Sequence, residues 1–194
     1  MQRIGLFGGT FDPPHLGHLI AAERVAESLS LERTVFIPTY QSPHKSGLGV
    51  SSPDHRLAMI QLAIQDEPRF EVSGIEYERR GTSYTVDTVR TIHDGERALY
   101  LMLGADQLRA FTTWKEYQRI ASLTTLVVLA RHPSDAHCGD EAIDSAVLRP
   151  TLPIVELSSS EIRERVRMDR SIRYLVPERV REYIEEHQLY RDRP

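Results

Sequence analysis

"RIGLFGGTFDPPHLGH", residues 3–18, predicts a strand, a loop and the start of a helix in immediate succession. Its first five residues are nearly continuous in apolar character, as expected for a strand that is covered on both faces. Gly8 and Gly9 follow, and then the two adjacent prolines at 13–14 stiffen the loop. A helix is expected to begin near Leu16, so the loop leads to the free amides of a helix N-terminus.

The alternation of apolar runs and helical patterns continues along the chain. Further strands are predicted at TVFIP (34–38), ALYLML (98–103), TLVVLA (125–130) and PIVEL (153–157), with FEVSGIEYERRG (70–81) as a strand beside the main pattern. Amphipathic spacing predicts helices over 53–65, after Ser158, and over 177–187. These patterns predict an α/β, doubly wound, mainly parallel sheet with a C-terminal helical segment, in one domain over 1–194.

The composition excludes several classes of protein. The chain has 194 residues, of which 40% are hydrophobic and 27% charged, and a net charge of −4, so we expect no nucleic-acid partner. Its only cysteine, Cys138, cannot form an intramolecular disulfide. Because the sequence shows neither a signal-peptide pattern nor an apolar run of about 18 residues, we expect a cytoplasmic protein with no membrane partner. The sequence leaves monomer and homo-oligomer open.

The loop after the first strand has the chemistry of an anion site. Gly8 and Gly9 let backbone amides approach a ligand, and Thr10 adds a hydroxyl. His15 and His18 are three residues apart, so they share one face of the first helical turn, where the helix dipole favours an anion. Two alternatives remain: a Gly/Pro turn with surface histidines, and a zinc site, for which no nearby cysteine or HExxH pattern supplies further ligands.

The complete loop, GGTFDPPHLGH, resembles the signature of the nucleotidyltransferase superfamily with the HxGH motif, and the chain most resembles its nicotinate-nucleotide adenylyltransferase family. The resemblance extends to SPHK (42–45), GTSYTVDT (81–88), GADQLRAFTTWKEY (104–117), LSSSEIR (157–163) and YLVPERVREYI (174–184). It implies a Rossmann-like nucleotidyltransferase fold. It also implies transfer of the adenylyl group of ATP, accompanied by Mg²⁺, to nicotinate mononucleotide by direct in-line attack.

The resemblance also implies the role of individual residues. Those implied as catalytic are His15, His18 and Lys45. Those implied in ATP binding are Gly8, Gly9, Thr10, Phe11, His15, His18, Gly104, Asp106, Ser159 and Arg163. Those implied in binding the nicotinate nucleotide are Lys45, Ser83, Tyr84, Thr85, Trp114, Tyr117 and Arg131. No protein side chain is expected to ligate the metal, because Mg²⁺ bridges the phosphates of ATP.

Most of these residues also have a purely structural interpretation. Ser83, Thr85 and Asp106 are suited to capping helices, and Trp114 and Tyr117 to filling a core. Three alternative functions stay open at this point: an adenylyltransferase acting on nicotinamide mononucleotide or phosphopantetheine, a non-catalytic nucleotide sensor, and a metal-dependent hydrolase that uses the two histidines.

Overall fold

Five parallel strands form one sheet in the computed structural model, which describes residues 1–41, 50–129 and 137–191. The strands are β1 (Gln2–Gly9), β2 (Arg33–Pro38), β3 (Phe70–Val72), β4 (Arg97–Gly104) and β5 (Thr125–Leu129). Their order is β3-β2-β1-β4-β5, which confirms the predicted α/β class and doubly wound sheet. Lys45 and Arg131, both predicted site residues, lie outside the described residues.

Helices follow or connect these strands. They are α1 (Leu16–Ser28), α2 (Pro53–Ile64), α3 (Ile75–Arg79), α4 (Thr85–Ile92), α5 (Ala105–Arg109), α6 (Tyr117–Leu123), α7 (Glu141–Ala146), α8 (Ser159–Arg167) and α9 (Glu178–Glu186), with a 3₁₀ turn at Phe111–Thr113. Within the described part of the chain, none of these helices has the length and apolar character needed to span a membrane.

Both faces of the sheet are covered, which explains why its strands are apolar throughout. On β1, Ile4 and Leu6 pack on one face in a cluster that includes Val86 of α4. Phe7 lies on the opposite face, in a cluster with Val25 of α1. A strand alternates its side chains between two faces, so each face of a doubly covered strand must be apolar.

A third apolar cluster joins the C-terminal helices to the sheet domain. It consists of residues from α2, α8, α9 and the segment between the last two: Met59, Ile162, Ile172, Val176, Val180 and Ile184. The N–H of Leu16 donates to the carbonyl of Leu175 at 3.0 Å, so this segment also contacts the start of α1. The predicted C-terminal helical segment is therefore packed beside the loop that follows β1.

The predicted strand over 153–157 is wrong. Its residues form no strand, and Ile154 is 55% exposed. Beside β5, Leu148 already takes part in two backbone hydrogen bonds, donating to Leu126 and accepting from Val128, both at 2.9 Å. Because these bonds engage the outer edge of β5, and the segment begins with a proline that has no N–H, 153–157 does not join the sheet there.

The prediction for 70–81 is only partly correct. Phe70–Val72 forms β3, but Ile75–Arg79 is helical. Glu76, in the first turn of this helix, is buried, and its Oε1 accepts a hydrogen bond of 2.9 Å from the hydroxyl of Thr88. Residues 75–79 are thus helical although their apolar residues have the spacing of a strand, and the helix forms this tertiary contact with α4.

Candidate functional site

A cleft of about 1210 Å³ opens at the carboxyl ends of β1 and β4. These two strands are neighbours, but the chain continues from them to opposite sides of the sheet, and parallel α/β sheets bind ligands at such a point. The cleft brings together most of the predicted site residues: Gly8, Gly9, Thr10, Phe11, His15, His18, Ser83, Tyr84, Thr85, Gly104, Asp106, Trp114, Ser159 and Arg163.

His15 and His18 stack on each other at the start of α1. Their ring centroids are 3.6 Å apart, and the rings are inclined by 23°. The backbone N–H of His15 donates to Nδ1 of His18 at 3.2 Å. Because Nδ1 is the acceptor, the neutral ring of His18 carries its proton on Nε2, which is thereby a hydrogen-bond donor.

Three neighbouring residues explain how the histidine pair fits. The ring of Phe11 lies edge-on to His18, with 5.2 Å between centroids. A side chain at Gly17 would place its Cβ only 3.0 Å from Nδ1 of His15, so a glycine here makes room for the stacked rings. At Gly8, by contrast, a Cβ would meet no protein atom within 4 Å, and this open space belongs to the cleft.

Burial keeps both imidazoles neutral. It lowers the pKa of His15 from 6.5 to about 4. Burial also lowers the pKa of His18 well below its usual value, and repulsion from His15 lowers it further. Since a charged imidazole loses hydration when it is buried, protonation requires a compensating negative charge.

We predict that the histidine pair makes folding stability depend on pH. The pKa of His15 is lower in the folded state, so the unfolded chain binds more protons between pH 6.5 and 4, and the free energy of unfolding falls as the pH is lowered through this range. We expect His15 to contribute a loss of about 2 kcal/mol between pH 7 and pH 5. Urea unfolding of the wild type and of His15→Asn, measured at both pH values, checks this prediction. The titration of carboxylates contributes equally to both proteins, so the difference between them reports the effect of His15. Equal pH dependence in the two proteins would contradict the prediction.

The N-terminus of α8 lies against the loop after β1. As predicted, Ser158 caps this helix with its side chain. The hydroxyl of Ser159 donates to the carbonyl of Pro13 at 2.8 Å, and Nη1 of Arg163 donates to the carbonyl of Asp12 at 2.7 Å. The loop is therefore placed between the N-termini of α1 and α8, where backbone N–H groups and helix dipoles favour an anion.

On the β4 side, the cleft is bounded by the start of α5. The N–H of Gly104 donates to Oε1 of Gln107 at 2.9 Å, which closes the first turn of this helix. The Asp106 side chain is 93% exposed and forms an ion pair with Arg109. Its carboxylate is thus open to a ligand in the cleft, and the predicted alternative of an N-cap is wrong because Gly104 occupies the cap position.

The other end of the cleft is formed by the N-terminus of α4. Tyr84 is the N-cap residue of this helix and Thr85 its first residue. Ser83 is buried, and its hydroxyl accepts a hydrogen bond of 3.2 Å from the N–H of Tyr40. Ser83 therefore ties the segment after β2 to the start of α4, a structural role that the sequence does not reveal.

The two predicted aromatic residues are placed differently. Trp114 lines the cleft and packs on Phe111, with 5.5 Å between ring centroids. Tyr117 is not among the residues that line the cleft. It packs against the core cluster that contains Leu6 and Val86, and its hydroxyl is 3.5 Å from Oδ2 of Asp140. The structure thus brings Trp114, but not Tyr117, to the cleft.

Lys115 is a cleft residue that sequence reasoning missed. Its Nζ lies 4.6 Å from the centroid of the Tyr84 ring and 3.6 Å from Oδ2 of Asp87. The sequence shows a basic residue directly after Trp114, which could have indicated a site residue. Its proximity to the start of α4, however, depends on the tertiary structure.

Comparisons with known proteins identify the family of this chain. The Cytidylyltransferase-like family model matches residues 6–165. A protein of Desulfitobacterium hafniense is 44% identical over 199 aligned positions, covering 98% of this chain and 96% of that protein. One from Thermus thermophilus is 44% identical over 192 aligned positions, covering 98% of this chain and 100% of that protein. Both are named "Probable nicotinate-nucleotide adenylyltransferase". This chain belongs to the nicotinate-nucleotide adenylyltransferase family.

Solved structures extend the comparison of the fold. The nicotinic acid mononucleotide adenylyltransferase of Plasmodium falciparum, solved in complex with NaAD, superimposes with a TM-score of 0.79 at 19% identity, covering 98% of each chain. As a member of the nicotinate-nucleotide adenylyltransferase family, this chain is a nucleotidyltransferase with a Rossmann-like fold, as the sequence predicted.

Proposed function

We propose that the enzyme transfers the adenylyl group of ATP to nicotinate mononucleotide in NAD biosynthesis, releasing nicotinate adenine dinucleotide and pyrophosphate. The observation that carries this proposal is the Nε2 donor of His18, held at a loop between two helix N-termini. Such a loop suits a triphosphate, and a third helix N-terminus, that of α4, suits the nicotinate carboxylate at the other end of the cleft.

At the ATP end, the triphosphate lies over the loop after β1. Its oxygens contact the amides around Gly8 and Gly9, the Thr10 hydroxyl and the two histidines. The ring of Phe11 packs edge-on against His18 and so helps to hold it in position. Ser159 and Arg163 approach the same phosphates from α8, and a guanidinium binds phosphate oxygens in a bidentate manner. Gly104 and Asp106 face the ribose, whose hydroxyls donate to a carboxylate.

At the mononucleotide end, the pyridine ring stacks on Trp114, and its carboxylate meets the N–H groups at Tyr84 and Thr85. The Lys115 ammonium adds positive charge close by. Lys45, Tyr117 and Arg131 remain in the proposal on the family resemblance alone. Ser83 lines the cleft and contributes through its hydrogen bond to Tyr40, which helps to position the start of α4.

The chemistry follows from this arrangement. The phosphate of the mononucleotide attacks the α-phosphorus of ATP in line, and pyrophosphate leaves from the opposite side without a covalent enzyme intermediate. Catalysis then depends on orientation and on donors directed at the developing negative charge. The triphosphate raises the lowered pKa values of His15 and His18, because an anion favours the protonated imidazole.

We also propose that Mg²⁺ accompanies ATP, bound by phosphate and water oxygens. The cleft fits this arrangement, because its phosphate end presents imidazoles, a guanidinium, amides and hydroxyls, and the carboxylates nearest to it are already engaged. The buried Asp12 carboxylate already accepts from Ser51 and Tyr190, and Asp106 is paired with Arg109. When bound, Mg²⁺ neutralises charge on the triphosphate.

An acceptor comparison tests the proposed reaction. Purified enzyme receives ATP and Mg²⁺ with nicotinate mononucleotide, nicotinamide mononucleotide or phosphopantetheine, and pyrophosphate release is measured. We expect the highest kcat/KM with nicotinate mononucleotide. Preference for another acceptor would replace the proposed substrate, and release with none of them would favour the non-catalytic sensor.

Trp114→Ala is predicted to weaken binding of the mononucleotide specifically. Loss of stacking on a flat heterocycle costs about 1–3 kcal/mol, so the KM for nicotinate mononucleotide should rise by about tenfold or more. The KM for ATP should stay within about twofold, and Trp114→Phe should restore most of the affinity. Steady-state kinetics with each substrate varied separately measures this; equal changes in both KM values would contradict the proposed location of the pyridine ring.

The hydrolase alternative lacks ligands in the part of the chain that the structure describes. No group of three His, Cys, Asp or Glu side chains there is arranged to hold a metal ion.

We further propose that residues 1–194 act as one domain, since Met59 of α2 shares an apolar cluster with α8 and α9.

A further inference from the structure

We propose that Tyr190, in the C-terminal segment, is a positioning residue for the loop that binds the ATP phosphates and that it acts through Asp12. The inference rests on the proposed function, because it assigns the loop to ATP. It concerns a residue that lies 178 positions from Asp12 along the chain.

The contact between these two residues is direct and buried. The Tyr190 hydroxyl donates to Oδ1 of Asp12 at 2.7 Å, and the N–H of Ser51 donates to Oδ2 at 3.1 Å. Asp12 is only 2% exposed. A buried carboxylate is tolerated only with such donors, so removing one leaves a charged oxygen without compensation.

The position of Asp12 connects this contact to the site. Its backbone carbonyl accepts the 2.7 Å hydrogen bond from Arg163, and the next carbonyl, of Pro13, accepts from Ser159. Two residues beyond Pro13, the N–H of His15 sets the tautomer of His18. A shift of Asp12 therefore displaces both the arginine of α8 and the histidine pair of α1.

Tyr190 is itself well fixed. It packs against the apolar cluster of α2, α8 and α9, and its hydroxyl lies 3.8 Å from Sδ of Met59. Burial, together with the charge of Asp12, raises the pKa of Tyr190, so the hydroxyl stays protonated and donates throughout the neutral range. The C-terminal segment thus supplies a permanent donor to the buried carboxylate of Asp12 in the loop after β1.

The test compares Tyr190→Phe with Tyr174→Phe, whose tyrosine is 80% exposed. Loss of a hydrogen bond to a buried charge should lower kcat by roughly tenfold and raise the KM for ATP several-fold. The KM for nicotinate mononucleotide should stay within about twofold, because that substrate binds at the other end of the cleft. Tyr174→Phe should match the wild type. A lowered melting temperature with unchanged kcat and KM values would overturn the inference, since it would indicate a purely structural role.

Two further measurements test the inference, and the first of them does not depend on the reaction. A non-hydrolysable ATP analogue is titrated calorimetrically, and Tyr190→Phe should bind it several-fold more weakly than the wild type. If the wild type releases no pyrophosphate with any acceptor, the proposed function fails, but this titration still decides the role of Tyr190; equal affinities would overturn it.

The second measurement is a double-mutant cycle with Asp12→Asn, and this single variant also tests the inference if Tyr190→Phe does not fold. Asp12→Asn alone should show the same rise in KM for ATP without a rise for the mononucleotide. The double variant should be no worse than Asp12→Asn, because Tyr190 acts through that carboxylate. Additive losses would contradict the proposed route, and so would an Asp12→Asn enzyme with wild-type kinetics.

Discussion

Replacing His18 with alanine is expected to lower kcat by a factor on the order of 10²–10³, the loss typical of removing one donor that stabilises transition-state charge. In the folded protein, Nε2 of this ring carries the proton and can donate, because Nδ1 accepts a hydrogen bond from the N–H of His15. The affinity for a non-hydrolysable ATP analogue should fall much less, since the proposed site offers the triphosphate many other donors. Steady-state kinetics combined with calorimetric titration measures the two effects separately.

A second substitution separates catalysis from helix capping. In His18→Asn, the amide oxygen can still accept from the N–H of His15, but the distal donor is lost, so this variant should be folded and nearly as slow as His18→Ala. His93→Ala, at the opposite end of α4 from the cleft, should keep wild-type kinetics. Equal losses in kcat and in analogue affinity would make His18 a binding residue only.

Replacing Arg56 with methionine is expected to lower the free energy of unfolding by about 3 kcal/mol or more. The guanidinium is 3% exposed and donates to the carbonyls of Thr10, Thr39, Tyr40 and Ser51 at 2.5–3.2 Å. Methionine fills similar apolar space but leaves these acceptors without their donor, and buried unsatisfied carbonyls cost about 1–3 kcal/mol each before relaxation. The melting temperature should fall by roughly 6–12 °C for a chain of this size.

Arg24→Met provides the matched control for this prediction. The Arg24 side chain is 55% exposed and pairs with Glu27 on the surface of α1, and such pairs contribute about 0–1 kcal/mol. Urea unfolding of both variants measures the difference. If Arg56→Met lost no more stability than Arg24→Met, the carbonyls would have other donors or access to water in the folded protein.

Much of the fold and part of the candidate site were predictable because their signals are local. The cap at Ser158 is one example: its oxygen accepts from the N–H of Glu161 at 3.1 Å, as the spacing of the two residues predicted. The loop after β1 is another, since glycines, prolines and a helix start determine its character within eleven residues. The predicted strand at 153–157 failed because strand formation also needs a free neighbouring edge, which a local pattern does not report.

The sequence by itself determined the alternation of strands and helices, the glycine- and proline-rich loop before α1 and, by resemblance, the family, because each depends on residues close together in the chain. Only the tertiary structure decided which nitrogen of His18 donates, that Lys115 joins the cleft, and that Arg56 and Tyr190 contact the loop after β1. Those properties arise from contacts between segments distant along the chain, and their hydrogen bonds form only after the apolar faces of sheet and helices have packed together.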